Sequence, residues 1–248
     1  MKNLMKIVML VLLTGMFILP LNAQEEKTVQ EDKKVEFKVS GDVVSSYVWR
    51  GAYNAGASVQ PTLGLGIGGF SFTAWGSKEI SGPHKEIDFT AAYSFGKVGI
   101  AVTDYWWDGE KQSGDVNNKY FHFDNHDTGH RLEAAVNYTI SEKFPLNVAW
   151  YTMFWGADKR SNDKQNYSSY VELNYPFSVK GVDLTATMGV SPYDSALYGV
   201  SSFAVCNLAL GATKEIKISK SFSLPIFARV IFDPAHEDAH VVFGFTLR

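Results

Sequence analysis

The chain has 248 residues, 46% hydrophobic and 14% aromatic, with 23 Lys and Arg against 26 Asp and Glu for a net charge of −3. That balance leaves no basic footprint for nucleic acid, and the lone Cys206 rules out an internal disulfide scaffold. The length suits one domain, and after the first segment no run is apolar for long enough to form a membrane-spanning helix.

The first segment is a leader. Met1, Lys2 and Lys6 surround the start of the apolar run Ile7 to Leu21, which breaks at Pro20, and Ala23 precedes the polar Gln24. This predicts a secretory signal peptide over 1–23, cleaved near Ala23–Gln24, although Leu21 is a poor match to the small residue usual at that place. No cysteine follows the run to carry a lipid anchor. Residues 24–34 are charged and without apolar rhythm, so they are expected to form a disordered tail.

From Val35 a period of two takes over. Val35, Phe37, Val39, Val43, Tyr47 and Trp49 share one face, while Glu36, Lys38, Ser40, Asp42, Ser46 and Arg50 share the other. A helix would scatter these groups around its circumference, so the segment is a strand with one apolar and one polar face. The alternation returns in 57–67, 70–76, 87–95, 98–106, 132–140, 146–154, 167–175, 182–190, 204–218, 222–232 and 241–247. Short connections at 68–69, 96–97, 141–145, 176–181 and 219–221 alternate with long ones at 51–56, 77–86, 107–130, 155–166, 191–203 and 233–240.

Strands of this length with alternating turn lengths predict an all-β fold over 35–248, a transmembrane antiparallel up-and-down β-barrel of about 12 strands. Only a closed ladder satisfies every backbone donor and acceptor in lipid. The short turns and both termini are then expected in the periplasm, with the long loops outside. A soluble β-sandwich alternates similarly, but its outward faces carry many charges, and here the polar faces are mostly Ser, Thr, Gly, Asn and Ala. Aromatic residues are expected to form two girdles at headgroup depth. Tyr47, Trp49, Trp75, Trp106, Trp107, Trp150 and Trp155 fall towards the long loops, and Phe37, Phe70, Phe95, Tyr138, Tyr175 and Phe222 towards the short turns. Pro61 and Pro225, inside predicted strands, are expected to cause bulges or shortened strands.

Ser46, Tyr47, Arg50 and Gly51, then Gln60 and Pro61, then Phe72, Trp75, Gly76 and Ser77 form a spaced set over Gly41 to Ser77. This stretch resembles the opening of the TorF-type putative porins, a family of uncharacterised outer-membrane barrels. The likeness covers roughly the first third of the mature chain. It implies a barrel that passes small solutes, and it carries no catalytic residues with it.

Charged groups at membrane depth must face water or each other, which assigns Glu36, Lys38, Asp42, Arg50, Asp88, Arg131, Glu133, Glu172, Asp183 and Arg229 to the lumen. Asp42, Arg50, Asp88, Arg131, Glu133, Glu172 and Arg229 are the candidates for a constriction whose mixed charges orient a polar solute. Asp42 and Glu172 are expected near mid-height and the others near the outer mouth. A barrel of this size stands between those filled by side chains and those that are open, and an inward-folded 107–130 loop would close it. The expected function is therefore a porin-like channel for passive diffusion of small polar solutes in the cell outer membrane. A non-conducting structural or adhesive barrel is the alternative, and a rim enzyme acting on lipid is a more distant one. No catalytic residue or cofactor is implied, because no His–Ser–Asn or His–Ser–Glu run accompanies the rim. His122, His126 and His130 are weak candidates for a metal, since a solvated polar loop accounts for them better. The expected partners are outer-membrane lipid and lipopolysaccharide, small polar solutes, and the barrel-assembly machinery during insertion.

Overall fold

The computed structural model describes residues 35–108 and 116–248. The expected signal peptide over 1–23 and tail over 24–34 lie outside the described residues. Among the described residues fourteen strands follow one another without a helix: β1 (Val35–Val44), β2 (Tyr47–Trp49), β3 (Ala52–Ala55), β4 (Ser58–Ile67), β5 (Phe70–Glu79), β6 (Lys85–Phe95) and β7 (Val98–Asp108). After the long loop come β8 (Arg131–Thr139), β9 (Asn147–Gly156), β10 (Ser169–Val179), β11 (Val182–Ser191), β12 (Ala204–Lys217), β13 (Ser223–Asp233) and β14 (Asp238–Leu247).

Twelve of these strands, β1 and β4 to β14, form a closed antiparallel barrel in which each strand pairs with its sequence neighbour, as the alternation predicts. Closure is made by β1, which pairs with β4 on one side and with β14 on the other. With an even number of antiparallel strands, β1 starts from and β14 returns to the end that carries the short turns.

The two-residue period sets the two faces. Outward positions are bare: Phe37 is 77% exposed, Val39 70%, Leu63 58%, Val241 65% and Phe243 64%. Such a continuous apolar exterior is far larger than a soluble monomer tolerates. Inward positions carry the hydroxyl, amide and charged groups instead.

One element departs from the sequence-based expectation. The first alternating run does not continue as a wall strand to Arg50. It ends at Val44, and the chain turns inward through Ser45 and Ser46 to build a separate two-stranded hairpin, β2–β3, with Arg50 and Gly51 at its tip. The segment 51–56 is therefore half of that hairpin rather than an outside loop. The two clusters of buried apolar residues lie inside the barrel where the hairpin meets the wall. One joins Val44, Ile231 and Val242 with Val48 and Phe227, and the other joins Tyr170, Tyr198 and Cys206 with Trp49 and Tyr151.

Neither proline makes a bulge, but each stands where the ladder to one neighbouring strand is interrupted or begins. Pro61 keeps its register with Gly41 of β1 and falls in a two-residue gap of the β4–β5 ladder, where its missing N–H leaves no unmet bond. Pro225 pairs with Glu215, and the β13–β14 ladder begins just after it at Ile226. The wall's register shifts occur at Leu132/Glu133 and Gly189/Val190.

Candidate functional site: the inserted hairpin and the lumen

The hairpin is built by a two-residue turn in which both central residues take positive φ, 52° at Arg50 and 92° at Gly51. This turn type suits the twist of a hairpin but normally selects Asn or Gly at its first position. Arginine there is strained by about 1–2 kcal/mol, so the site that receives its side chain must hold it in place.

That site is the lumen wall. The Arg50 guanidinium donates to both carboxylate oxygens of Glu133 on β8, at 2.6 and 2.9 Å, and to the Tyr198 hydroxyl at 2.6 Å. Tyr105 on β7 donates to the same carboxylate at 2.9 Å. The rings of Trp49, Tyr151 and Tyr170 surround the cation at 4.5, 4.2 and 4.8 Å from their centroids. A planar guanidinium matches a carboxylate in a fork and stacks on aromatic faces, which lysine does not do as well. The pair is almost dry, with side-chain exposures of 7% and 2%.

A second insertion meets the first. The loop 192–203 folds inward so that Tyr198 stacks on Trp49 at 6.1 Å and lies 5.5 Å from Tyr170. Burial pushes the Tyr198 phenol well above its ordinary range, so it stays neutral and hydrogen-bonded. Ser195 on the same loop donates to Ser168, which donates to Asp158 at 2.7 Å, locking this loop to the 157–168 loop.

The spaced set over Gly41 to Ser77 has a physical account here. Tyr47 packs on Trp75 at 5.5 Å, Gln60 donates to Ser77 at 3.3 Å, Arg50 is the latch, and Gly51 sits where a Cβ would lie 1.9 Å from the Cys206 carbonyl oxygen. These residues form the hairpin and its seat. The outer aromatic girdle is accordingly corrected. Trp150 does face outward at 43% exposed, but Tyr47, Trp49, Trp75 and Trp107 pack around the hairpin. On the short-turn side Phe37, Phe70, Phe95, Tyr138 and Phe222 are exposed and Tyr175 is half-buried.

The long loop does not close the lumen in its described part, 116–130. It lies against the outward side of β7. Trp106, which alternates with the lumen-facing Tyr105, packs under Tyr120 at 5.3 Å. His130 is fully buried between the rings of Phe123 and Tyr120, with Nδ1 at 2.9 Å from Asp104 and Nε2 at 2.6 Å from the Tyr120 carbonyl oxygen. Both partners are acceptors.

The loop histidines do not gather around a metal. His122 pairs with Asp127, His126 with Asp163 and His130 with Asp104, and among the described residues no group of three or more potential ligands converges. His236 pairs with Asp233, and the loops that carry these groups do not share a centre.

Beneath the hairpin the lumen keeps a cavity of about 380 Å³. Asp42, Asp88 and Arg229, expected at different depths, line it together with Gln60, Trp75 and Tyr105. Asp42 accepts from Thr246 at 2.6 Å, and one oxygen of the buried Asp88 carboxylate has no partner among the described residues. Glu172 is engaged by Tyr170 and Asn174 at 3.1 and 2.6 Å, and Arg131 stacks on Trp107 at 4.1 Å. Arg50 reaches Glu133, but from the hairpin tip rather than from the wall, so only the tertiary structure discloses the pair. Tyr198, Tyr170 and Tyr151 were missed by sequence reasoning. Their one local signal is that Tyr170 shares the parity of Glu172.

No protein-family model matches the chain, and no curated protein is significantly similar to it.

Proposed function

We propose that this protein is an outer-membrane channel for small polar solutes whose outer mouth is closed by the β2–β3 hairpin. The observation that carries this is the contrast between the two faces of a closed ladder, with Phe37, Val39, Leu63, Val241 and Phe243 bare outside and a charged, hydroxyl-lined cavity within. A barrel with that polarity is stable in lipid and unstable in water. The leader-like segment at 1–23 and the resemblance over Gly41 to Ser77 support export to the outer membrane and the porin class. The obstruction is a short hairpin and the loop 192–203 that meets it, latched by the Arg50–Glu133 ion pair and its aromatic surround, a smaller barrier than a lumen packed solid. Asp42, Asp88 and Arg229 supply the transverse field that orients a polar solute below it.

The experiment is single-channel recording of the refolded mature protein in a planar bilayer, alongside Glu133→Gln and a variant in which residues 47–55 are replaced by a short Gly-Ser turn. Brief, rare openings in the native protein and sustained steps in both variants establish a hairpin-closed channel. Silence from all three, with each folded as a barrel, overturns the channel and leaves a non-conducting structural barrel.

A further inference from the structure

The barrel ladder is incomplete at one place. β1 pairs with β14 only from Gly41/Leu247 to Val44/Gly244, with one more backbone bond of 2.8 Å from the Ser45 N–H to the Phe243 carbonyl. β14 begins at Asp238, so its outer half has β13 on one side and no wall strand on the other. The cause is the hairpin, because the chain that would have continued β1 outward turns into the lumen at Ser46. What covers the outer half of β14 is side chains: Tyr53 of β3 against the His240 ring at 6.0 Å, and Val48 of β2 against the Val44, Ile231 and Val242 cluster. A seam closed by side chains opens more cheaply than a hydrogen-bonded ladder.

This seam separates two apolar surfaces. Outside it stand Val241 and Phe243, 65% and 64% exposed, and inside it stand Val44, Val48, Ile231 and Val242, which form one wall of the lumen cavity. Arg229 reaches into the same cavity and is exposed there. Its guanidinium contacts the Phe227 ring at 5.6 Å, and among the described residues no carboxylate lies within ion-pair distance of it. Asp42 accepts from Thr246 through one carboxylate oxygen and Asp88 is buried, and among the described residues Arg229 is the cavity's cation without an acidic partner.

We infer that this cavity binds a single-chain anionic amphiphile, a fatty-acid-like molecule whose carboxylate meets Arg229 and whose chain lies on the Val44–Ile231–Val242 wall, entering sideways through the β1–β14 seam. A cavity of about 380 Å³ with one apolar wall facing charged and hydroxyl-bearing groups falls within the size of small-ligand sites, and an arginine fork is suited to a carboxylate. The inference goes beyond the channel proposal and needs the barrel in a bilayer, not flux through it.

The test uses bromoundecanoate, whose bromine quenches tryptophan, titrated into the full mature barrel in nanodiscs. A saturable phase of quenching is expected above the linear phase that lipid-facing Trp150 reports, and the double change Trp49→Phe with Trp75→Phe removes only the saturable phase. Arg229→Gln is expected to weaken that phase about tenfold or more, since a hydrogen bond to a charged group is lost. Bromoundecanol, with the same chain and no charge, is expected to bind the native barrel as weakly as the acid binds the variant. Val242→Trp fills the apolar wall and should abolish the phase, with heat-modifiable migration checking that each variant has folded. Absence of a saturable phase, or one indifferent to both Arg229→Gln and Val242→Trp, overturns the site. A barrel that conducts without saturable binding loses this inference alone, and one that binds without conducting loses the channel alone.

Discussion

Arg50 and Glu133 stand 83 residues apart and are joined by two hydrogen bonds of 2.6 and 2.9 Å across the inside of the barrel. Removing one partner of a buried ion pair strands the other charge, which costs about 3–5 kcal/mol. In the proposed hairpin-closed channel, Glu133→Gln is expected to spend that cost on unseating the hairpin rather than on unfolding the wall. Cys206 is only 2% exposed under the hairpin tip. Its labelling by a membrane-permeant thiol reagent should accelerate in Glu133→Gln, and the joint change Arg50→Met with Glu133→Leu should restore part of the protection.

Gly51 is expected to be the least replaceable residue of the hairpin. At φ 92° a side chain is strained, and its Cβ would lie 1.9 Å from a backbone oxygen of Cys206 that cannot retreat without breaking the wall. Gly51→Ala should expose the thiol as Glu133→Gln does. Gly181→Ala, at φ 75° with nothing within 4 Å, is the control. It should cost only about 1–2 kcal/mol of backbone strain and leave the thiol protected.

His130 and Asp104 anchor the long loop to the outside of the wall. Asp104→Asn replaces the carboxylate that contacts His130 by a neutral amide and is expected to loosen residues 116–130 by about 1–3 kcal/mol. Limited proteolysis of whole cells or proteoliposomes should then cut this loop faster, while any conductance of the proposed channel stays at the native level. A change in conductance would place the loop in the permeation path.

The same loop should respond to alkali. Burial, followed by the carboxylates of Asp104 and Asp88, pushes the Tyr120 phenol up from 10.0 to about 12. The folded state holds the neutral phenol more tightly than the unfolded chain does. The resulting stability is fully present below pH 10 and is lost as pH rises through about 12. Phenolate absorbance followed with pH should show a late-titrating tyrosine that moves to the ordinary range in Tyr120's neighbour variant Asp104→Asn combined with His130→Ala.

Much of the wall was legible because strand parity is local. Val35, Phe37 and Val39 against Glu36, Lys38 and Ser40 determine which side of β1 is apolar, whatever the rest of the chain does. The same alternation hid the break after Val44. Tyr47 and Trp49 continue the parity of Val43, so nothing in the two-residue period marks the inward turn. The available hint was Gly51, which suits the second position of a tight hairpin turn. Trp75 and Trp107 were placed in a girdle by their nearness to strand ends, while their parity with lumen residues told otherwise.

By itself the sequence determined an alternating, turn-punctuated chain whose polar groups must be enclosed, and hence a barrel with Asp42, Asp88 and Arg229 turned inward. Only the tertiary structure decided what occupies the enclosure. Whether a segment lies in the wall or in the lumen depends on partners far away in sequence, Glu133 for Arg50, Cys206 for Gly51 and Trp75 for Tyr47, and local periodicity carries no information about such contacts.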